Sequence, residues 1–346
     1  MNIALDATYS LGEELSGVGV YSQALLSGLA AAHPEARFQF CYRSQRYLAS
    51  FRSRLPANAR RFLLGENRTP GSADLFHGLN QRLPRARSRR SVATFHDLFV
   101  LTGDYSTPEF RRRFAEQARQ AAERADRVIA VSQFTARQVV DLLGVEAARV
   151  RVVHHGVRMA AAMPAAREKI ILHVGAIQHR KNIARLVDAF ERVDGEWQLV
   201  LAGSSGYRAP EILEHIASAT SRERIRVLGY VPAAELAGWY RRASIFAFPS
   251  LDEGFGMPVL EAMAAGTPVV ASDRSAVPEV AGNAAWLVNP EHTEALANAL
   301  VELTRNPDRR AELSRLGLRR ASEFSWDFAV EQTWKVYGEL MDIGPD

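Results

Sequence analysis

Short apolar runs alternate with helical stretches along nearly the whole 346-residue chain, and this alternation limits the fold more than any other feature. A first series reads as a strand at Ile3–Asp6, a helix at Val20–Ala31, and strands at Arg37–Tyr42, Leu75–His77 and Val92–Phe95. A helix at Thr107–Arg124 then precedes strands at Arg127–Val131 and Val150–His154. Phe110, Phe114, Ala118 and Ala121 fall on one stripe of that helix, and Ser132 is placed to cap the next one. The second series has strands at Ile170–Val174, Gln198–Ala202, Ile225–Leu228, Ser244–Phe248, Pro268–Ala271 and Trp286–Val288, with helices between. Units of this kind place parallel strands between helices, so the expected class is α/β with doubly wound sheets. The length suits two domains. A loose Ala/Met/Pro stretch, Arg158–Arg167, is the expected linker. It gives a first domain at 1–160, a second at 161–324 and a closing segment at 325–346. In that segment the Trp326–Met341 helix offers Phe328, Trp334, Tyr337 and Leu340 for burial.

Composition narrows the class further. A single cysteine, Cys41, excludes an intramolecular disulfide framework and a Cys-based zinc cluster. The start, Met1-Asn2-Ile3-Ala4-Leu5-Asp6, lacks the basic and apolar regions of a signal peptide. No apolar run approaches the ~18–20 residues that span a bilayer, so a cytoplasmic protein is expected. Charge is uneven. Residues 37–90 hold 13 arginines against Glu66 and Asp74, a balance of +11, whereas the whole chain is only +4. That asymmetry suits an anionic partner, such as the inner face of a membrane or a lipid phosphate. A competing account is plain compositional bias, with 40 arginines against the three lysines Lys169, Lys181 and Lys335. Nucleic acid is not expected, because no recognition motif accompanies the charge.

The most informative local stretch is 252–268, Asp-Glu-Gly-Phe-Gly-Met-Pro-Val-Leu-Glu-Ala-Met-Ala-Ala-Gly-Thr-Pro. It follows the buried strand Ser244–Phe248 and runs through a glycine-containing loop into a helix, with Pro258 suited to its first position. The backbone amides of Gly254, Phe255, Gly256, Met257 and Val259, with the helix dipole, are expected to form a receptor for an anion. Glu261 lies one turn inside, with its carboxylate leaning back toward that end. An acid aimed at an anion site makes sense where the ligand carries a vicinal diol beside its phosphates, as a ribose does next to a pyrophosphate. Glu253 would face the other end of such a ligand. A surface helix with two solvated acids is the alternative. Two adjacent cations, Arg180 and Lys181, stand ahead of a helix at Ile183–Arg192. Cations there oppose the dipole unless an anion joins them, so they too read as phosphate ligands, or else as an exposed basic turn.

The Glu-x7-Glu stretch, in the setting Glu-Gly-Phe-Gly-Met-Pro-Val-Leu-Glu-Ala-Met-Ala-Ala-Gly-Thr-Pro-Val-Val-Ala-Ser, resembles the signature of the retaining family 4 glycosyltransferases. The resemblance implies the GT-B fold, two Rossmann-like domains facing a central cleft, with the last helix crossing back to the first domain. The donor would be a nucleoside diphosphate sugar. Arg180 and Lys181 would hold its pyrophosphate, although Ala176 stands where many members carry a further Arg. His96, in Thr94-Phe95-His96-Asp97, would meet the donor sugar together with Glu253, with Lys181 completing the catalytic set. Tyr230 and Val231, after Gly229, would lie at the base. Gly17 and Gly19 in Gly-Val-Gly-Val-Tyr would approach the phosphates, with a plain tight turn as the alternative. His77, Asn80 and Asp97 are expected near the acceptor.

The absence of Asp-x-Asp implies no metal and no other cofactor. Gly-Val-Gly-Val-Tyr and His-Arg-Lys-Asn look most like bacterial mannosyltransferases of surface polysaccharide synthesis, implying GDP-mannose ahead of UDP-sugars and a saccharide or lipid-linked acceptor. A sugar-nucleotide 2-epimerase of the same fold is the rival reading. A nicotinamide oxidoreductase is disfavoured, since Gly-x-Gly-x-x-Gly is missing.

Overall fold

A computed structural model describes residues 1–12, 14–159 and 166–341. Part of the expected linker (160–165) and the end of the closing segment (342–346) lie outside the described residues. The chain divides into two compact units: 1–102 with 108–156 and the segment from Ser325, and 103–107 with 157–324.

The first unit is built on a seven-stranded sheet of order β3-β2-β1-β4-β5-β6-β7. Its strands are β1 (Asn2–Asp6), β2 (Arg37–Arg43), β3 (Ala59–Leu64), β4 (Leu75–Gly78), β5 (Ser91–Phe95), β6 (Arg127–Ala130) and β7 (Val150–Val152). Every neighbouring pair is parallel, with Ile3 of β1 opposite Phe38 on one side and Leu75 on the other. Both faces of the central strands are covered, so Ile3, Ala4 and Leu5 are all fully buried. Strand β3 is the one that periodicity missed. It is an edge strand that interleaves Arg60 and Arg61 with apolar residues and is largely half-exposed, a pattern that protects an edge from further pairing.

Helix boundaries also move. The first helix spans Gly17–Ala32, and Ser16 caps it by accepting from the Gly19 amide. Gly17 and Gly19 are therefore the first helical turn rather than a loop. A Cβ on Gly19 would sit 2.9 Å from the Tyr9 carbonyl oxygen, so close packing explains that glycine. In the helix Pro108–Arg124, Phe114, Ala118 and Ala121 are buried, but Phe110 is exposed. The last helix, Trp326–Met341, packs on Gly17–Ala32, where a Cβ on Gly28 would come within 2.5 Å of Val330 Cγ2. Val330, Val336 and Tyr337 join Leu25 and Leu29 in one core, with Trp334 and Leu340 at its edge. Phe328, expected inside, is exposed.

The second unit has a six-stranded sheet of order β10-β9-β8-β11-β12-β13. These are β8 (Glu168–Val174), β9 (Gln198–Ala202), β10 (Ile225–Gly229), β11 (Ala243–Phe248), β12 (Val269–Ser272) and β13 (Trp286–Val288). All pairs are again parallel. Numbered within the unit, the order is 3-2-1-4-5-6, the doubly wound arrangement in which the winding reverses between the first and fourth strands. Here those are β8 and β11, with Ile171 opposite Ile245. All six residues of β11 are buried. Its Phe246 and Phe248 are each fully enclosed, so truncating either to Ala costs about 3–5 kcal/mol.

Candidate active site

In an open parallel sheet the crevice for a ligand opens beyond the carboxyl ends of the strands flanking the reversal. In the second unit the loops after β8 and β11 meet there and carry most of the expected residues. After β8 the backbone passes through a 3₁₀ turn at His179–Lys181 and through Asn182 in the left-handed conformation, φ 58°. The helix that follows, Ile183–Phe190, ends two residues earlier than the sequence suggests. The Asn182 side-chain amide donates to the Pro249 carbonyl at 3.1 Å and to the Pro290 carbonyl at 2.6 Å. The Leu251 amide donates to the Arg180 carbonyl at 2.9 Å. The β8 loop is thus tied to the end of β11 and to the segment after β13.

Arg180 and Lys181 are not an exposed basic turn. Each is only 7% exposed, as is Glu253. Lys181 Nζ lies 2.5 Å from Glu253 Oε1 and Arg180 Nη1 2.9 Å from Oε2, so one carboxylate bridges two buried cations. Arg180 also donates to the Asp252 carbonyl, and Lys181 Nζ sits 4.7 Å above the Phe248 ring. The Glu253 backbone is pinned as well: its amide donates to Ser275 Oγ and its carbonyl accepts from the Ala276 amide. Burial pushes the Glu253 carboxyl up, but Arg180 and Lys181 outweigh that and hold it down at about 2.

Beyond Glu253, Gly254, Phe255 and Gly256 are buried, with the Phe255 ring edge-on to Phe324. Gly256 precedes the helix Met257–Ala264 at φ 100°, a conformation that suits glycine. Met257 is the first helical residue and Pro258 the second, one place later than expected, and both are half-buried. The amide of Val259 already bonds the Gly256 carbonyl, so it is engaged in the first helical turn. One turn in, Glu261 is half-buried and accepts from the Tyr240 hydroxyl at 2.8 Å. Burial raises its carboxyl while that hydrogen bond opposes the rise. Tyr230 and Val231 directly follow β10, whose Gly229 carbonyl accepts from the Gly203 amide at 2.7 Å.

In the first unit a separate cluster lies past β4 and β5. His96 is 8% exposed and donates from Nε2 to the Leu79 carbonyl at 2.9 Å, which leaves Nδ1 as its acceptor. Its ring stacks on His155 and meets Tyr21 edge-on. Burial lowers its value to about 4, against the Leu79 hydrogen bond, so it is neutral at pH 7. His77 corrects the expectation of an acceptor contact. It is fully buried, with Nδ1 2.6 Å from the Tyr337 hydroxyl and Nε2 2.8 Å from Thr94 Oγ1. Both ring nitrogens are used, so no polar atom remains for a substrate. Asn80 is half-buried and accepts the Gln81 amide, and Asp97 is half-buried beside His96 in the chain. Gly17 is exposed with open space around it, unlike Gly19.

Tyr240, Asn182 and Ser275 were not singled out from sequence. Tyr240 falls in a Trp-Tyr-Arg-Arg run that reads as ordinary core, and only the fold brings its hydroxyl to Glu261. Among the described residues no group of three or more His, Cys, Asp or Glu side chains could hold a metal ion. No described helix is long and apolar enough to cross a membrane.

Two doubly wound parallel sheets, with cations and acids collected at the strand ends of the second, define the GT-B class of glycosyltransferases. Comparison with known proteins agrees. A family model described as Glycosyltransferase Family 4 matches residues 9–160, and one described as Glycosyl transferases group 1 matches 168–306. O-antigen chain mannosyltransferase B of Escherichia coli is 30% identical over 281 residues, covering 76% of this chain and 74% of that protein. A D-inositol 3-phosphate glycosyltransferase of Kineococcus radiotolerans is 32% identical over 289 residues, 74% of this chain and 66% of that protein. Among solved structures, a sucrose-phosphate synthase from Thermosynechococcus elongatus superposes with a TM-score of 0.81 at 22% identity, over 99% of this chain and 100% of that one. HepE of Anabaena in complex with UDP does so at 0.75 and 18%, over 98% and 99%. The chain belongs to the family 4 glycosyltransferases.

Proposed function

We propose that this glycosyltransferase is a retaining enzyme that moves mannose from GDP-mannose to a saccharide or lipid-linked saccharide. The observation that carries the reading is the buried Arg180–Lys181–Glu253 group beside the glycine-bounded start of the helix Met257–Ala264. In this assignment Glu261 accepts the ribose hydroxyls. Arg180, Lys181 and the backbone amides of Gly254, Phe255, Gly256 and Met257 receive the pyrophosphate, and Gly17 is assigned to the same phosphates. Tyr230 and Val231 meet the base, while Glu253 and His96 bind the sugar. Neutral His96 offers Nδ1 as an acceptor for a sugar hydroxyl. Asn80 and Asp97 are assigned to the acceptor.

The bond from the anomeric carbon to the phosphate oxygen breaks, and a bond to the acceptor oxygen forms on the same face. The acceptor proton passes to the leaving phosphate. Arg180 and Lys181 stabilise the charge that grows on the nucleoside diphosphate. No metal enters the scheme.

Mannose is favoured by likeness to bacterial mannosyltransferases, of which the Escherichia coli protein is one by name; the Anabaena structure holds UDP instead. Peripheral contact with an anionic membrane is proposed through region 37–90. There Leu48 and Phe51 are exposed near Arg46, Arg52 and Arg61, although Arg43 and Arg82 are engaged by Glu66. The test is transfer from GDP-mannose, with the anomeric configuration read by NMR. An α-linked product from the wild type, lost in Lys181→Ala and Glu261→Ala, supports the reading. An inverted linkage, an epimerised nucleotide sugar, or normal turnover in both variants contradicts it.

A further inference from the structure

The Tyr240–Glu261 hydrogen bond joins two helices that lie far apart in sequence. Tyr240 lies in the last turn of the helix Ala233–Arg242 and is 4% exposed. Its ring packs against Phe246 of β11, with centroids 5.6 Å apart. Its backbone is fixed independently of the ring: the carbonyl accepts from Thr267 Oγ1 at 2.6 Å and from Arg167 Nη1 at 3.0 Å. Thr267 in turn follows the helix that carries Glu261, and its amide bonds the Ala262 carbonyl. The phenol is therefore held at both ends, ring and backbone, against the element it serves.

The hydroxyl has one acceptor, Glu261 Oε2, at 2.8 Å. Among the described residues Oε1 has no protein partner. A carboxylate on a long side chain samples several rotamers, and each bond it makes to a ligand costs the entropy of choosing one. A rigid phenol that donates to one oxygen selects the rotamer in advance and leaves the other oxygen for a ligand. A neutral donor also favours the ionised carboxylate, the form that accepts hydroxyl protons.

We propose that Tyr240 is a positioning residue that presents Glu261 Oε1 to the 2′-hydroxyl of the nucleotide ribose and so sets the preference for ribonucleotides over 2′-deoxyribonucleotides. This rests on the assignment of Glu261 to the ribose given above. A site built around a substrate hydroxyl loses much more with an analogue that lacks it than an apolar site would. Tyr240 would supply that discrimination without touching the ligand.

The test is titration calorimetry of wild type and Tyr240→Phe with GDP, 2′-deoxy-GDP, UDP and 2′-deoxy-UDP. The substitution removes one oxygen and keeps the ring that packs on Phe246. The expected result is a ribo over deoxy preference of about tenfold or more in the wild type. Tyr240→Phe should weaken the ribonucleotide about tenfold and the deoxynucleotide by less than twofold. Equal losses for both, or no loss for either, would overturn the positioning role while leaving the donor site intact. A wild type that binds none of the four nucleotides would overturn both this inference and the assignment beneath it.

Discussion

Replacing Glu253 by Gln removes the anion shared by Arg180 and Lys181 and changes almost nothing in shape. The cost follows from the structure. The Glu253 carboxyl is lowered from 4.5 to about 2 when folded, which corresponds to about 3 kcal/mol of stabilisation of the charged form. Breaking one partner of a buried ion pair typically costs about 3–5 kcal/mol, because the remaining charge is stranded. Here two cations, each less than a tenth exposed, would lose the carboxylate they share. At roughly 2–4 °C per kcal/mol for units of this size, the melting temperature should fall by about 6–12 °C. The sign with pH agrees: the wild type holds this increment above pH 4.5 and loses it as pH falls toward 2.

Added anion should restore much of the loss. Differential scanning calorimetry of Glu253→Gln at pH 7.5 should show a larger rise with pyrophosphate or GDP than the wild type shows, since the ligand binds only the native state and now supplies the missing charge. A variant as stable as the wild type, or one that pyrophosphate leaves unmoved, would refute the reasoning.

Acid should also destabilise the protein well before its carboxylates protonate. His77, His96 and His173 are buried, and burial lowers them from 6.5 to about 3, 4 and 4. The unfolded chain takes up these protons below pH 6.5 and the folded chain does not, so stability present above that pH falls away beneath it. Urea unfolding at pH 5.5 should give about 4 kcal/mol less than at pH 7.5; equal values would contradict it. Gly203→Ala would place a Cβ 2.0 Å from the Gly175 carbonyl oxygen, where the chain leaves β9 beside β8. It should cost about 3 kcal/mol or more, and a variant that melts with the wild type would show that the backbones can part.

Much of the fold was legible because parallel strands buried on both faces must be short, apolar and separated by helices. That rule found β1, β9 and β13 within a residue. It failed at β3, where an edge strand needs arginines as much as apolar side chains. Helical periodicity failed at Phe110 and Phe328, which lie near helix starts and are exposed. At the site, the strand–loop–helix turn running from Glu253 to Glu261 was legible because glycines and a proline coincide there. What sequence does not carry is partnership. Nothing local says that Glu253 bridges Arg180 and Lys181 across 72 residues, that Tyr240 holds Glu261, or that His77 spends both nitrogens on Tyr337 and Thr94. Those follow from the strand order, which brings the ends of β8 and β11, and of β4 and β5, side by side.

The central proposal is that the loops after β8 and β11 grip the phosphates and ribose of an activated sugar, and direct titration of GDP-mannose into wild type, Lys181→Ala and Glu261→Ala tests it. Wild type should bind, with each variant at least about tenfold weaker and still cooperatively folded. Undiminished affinity in both variants would contradict the account.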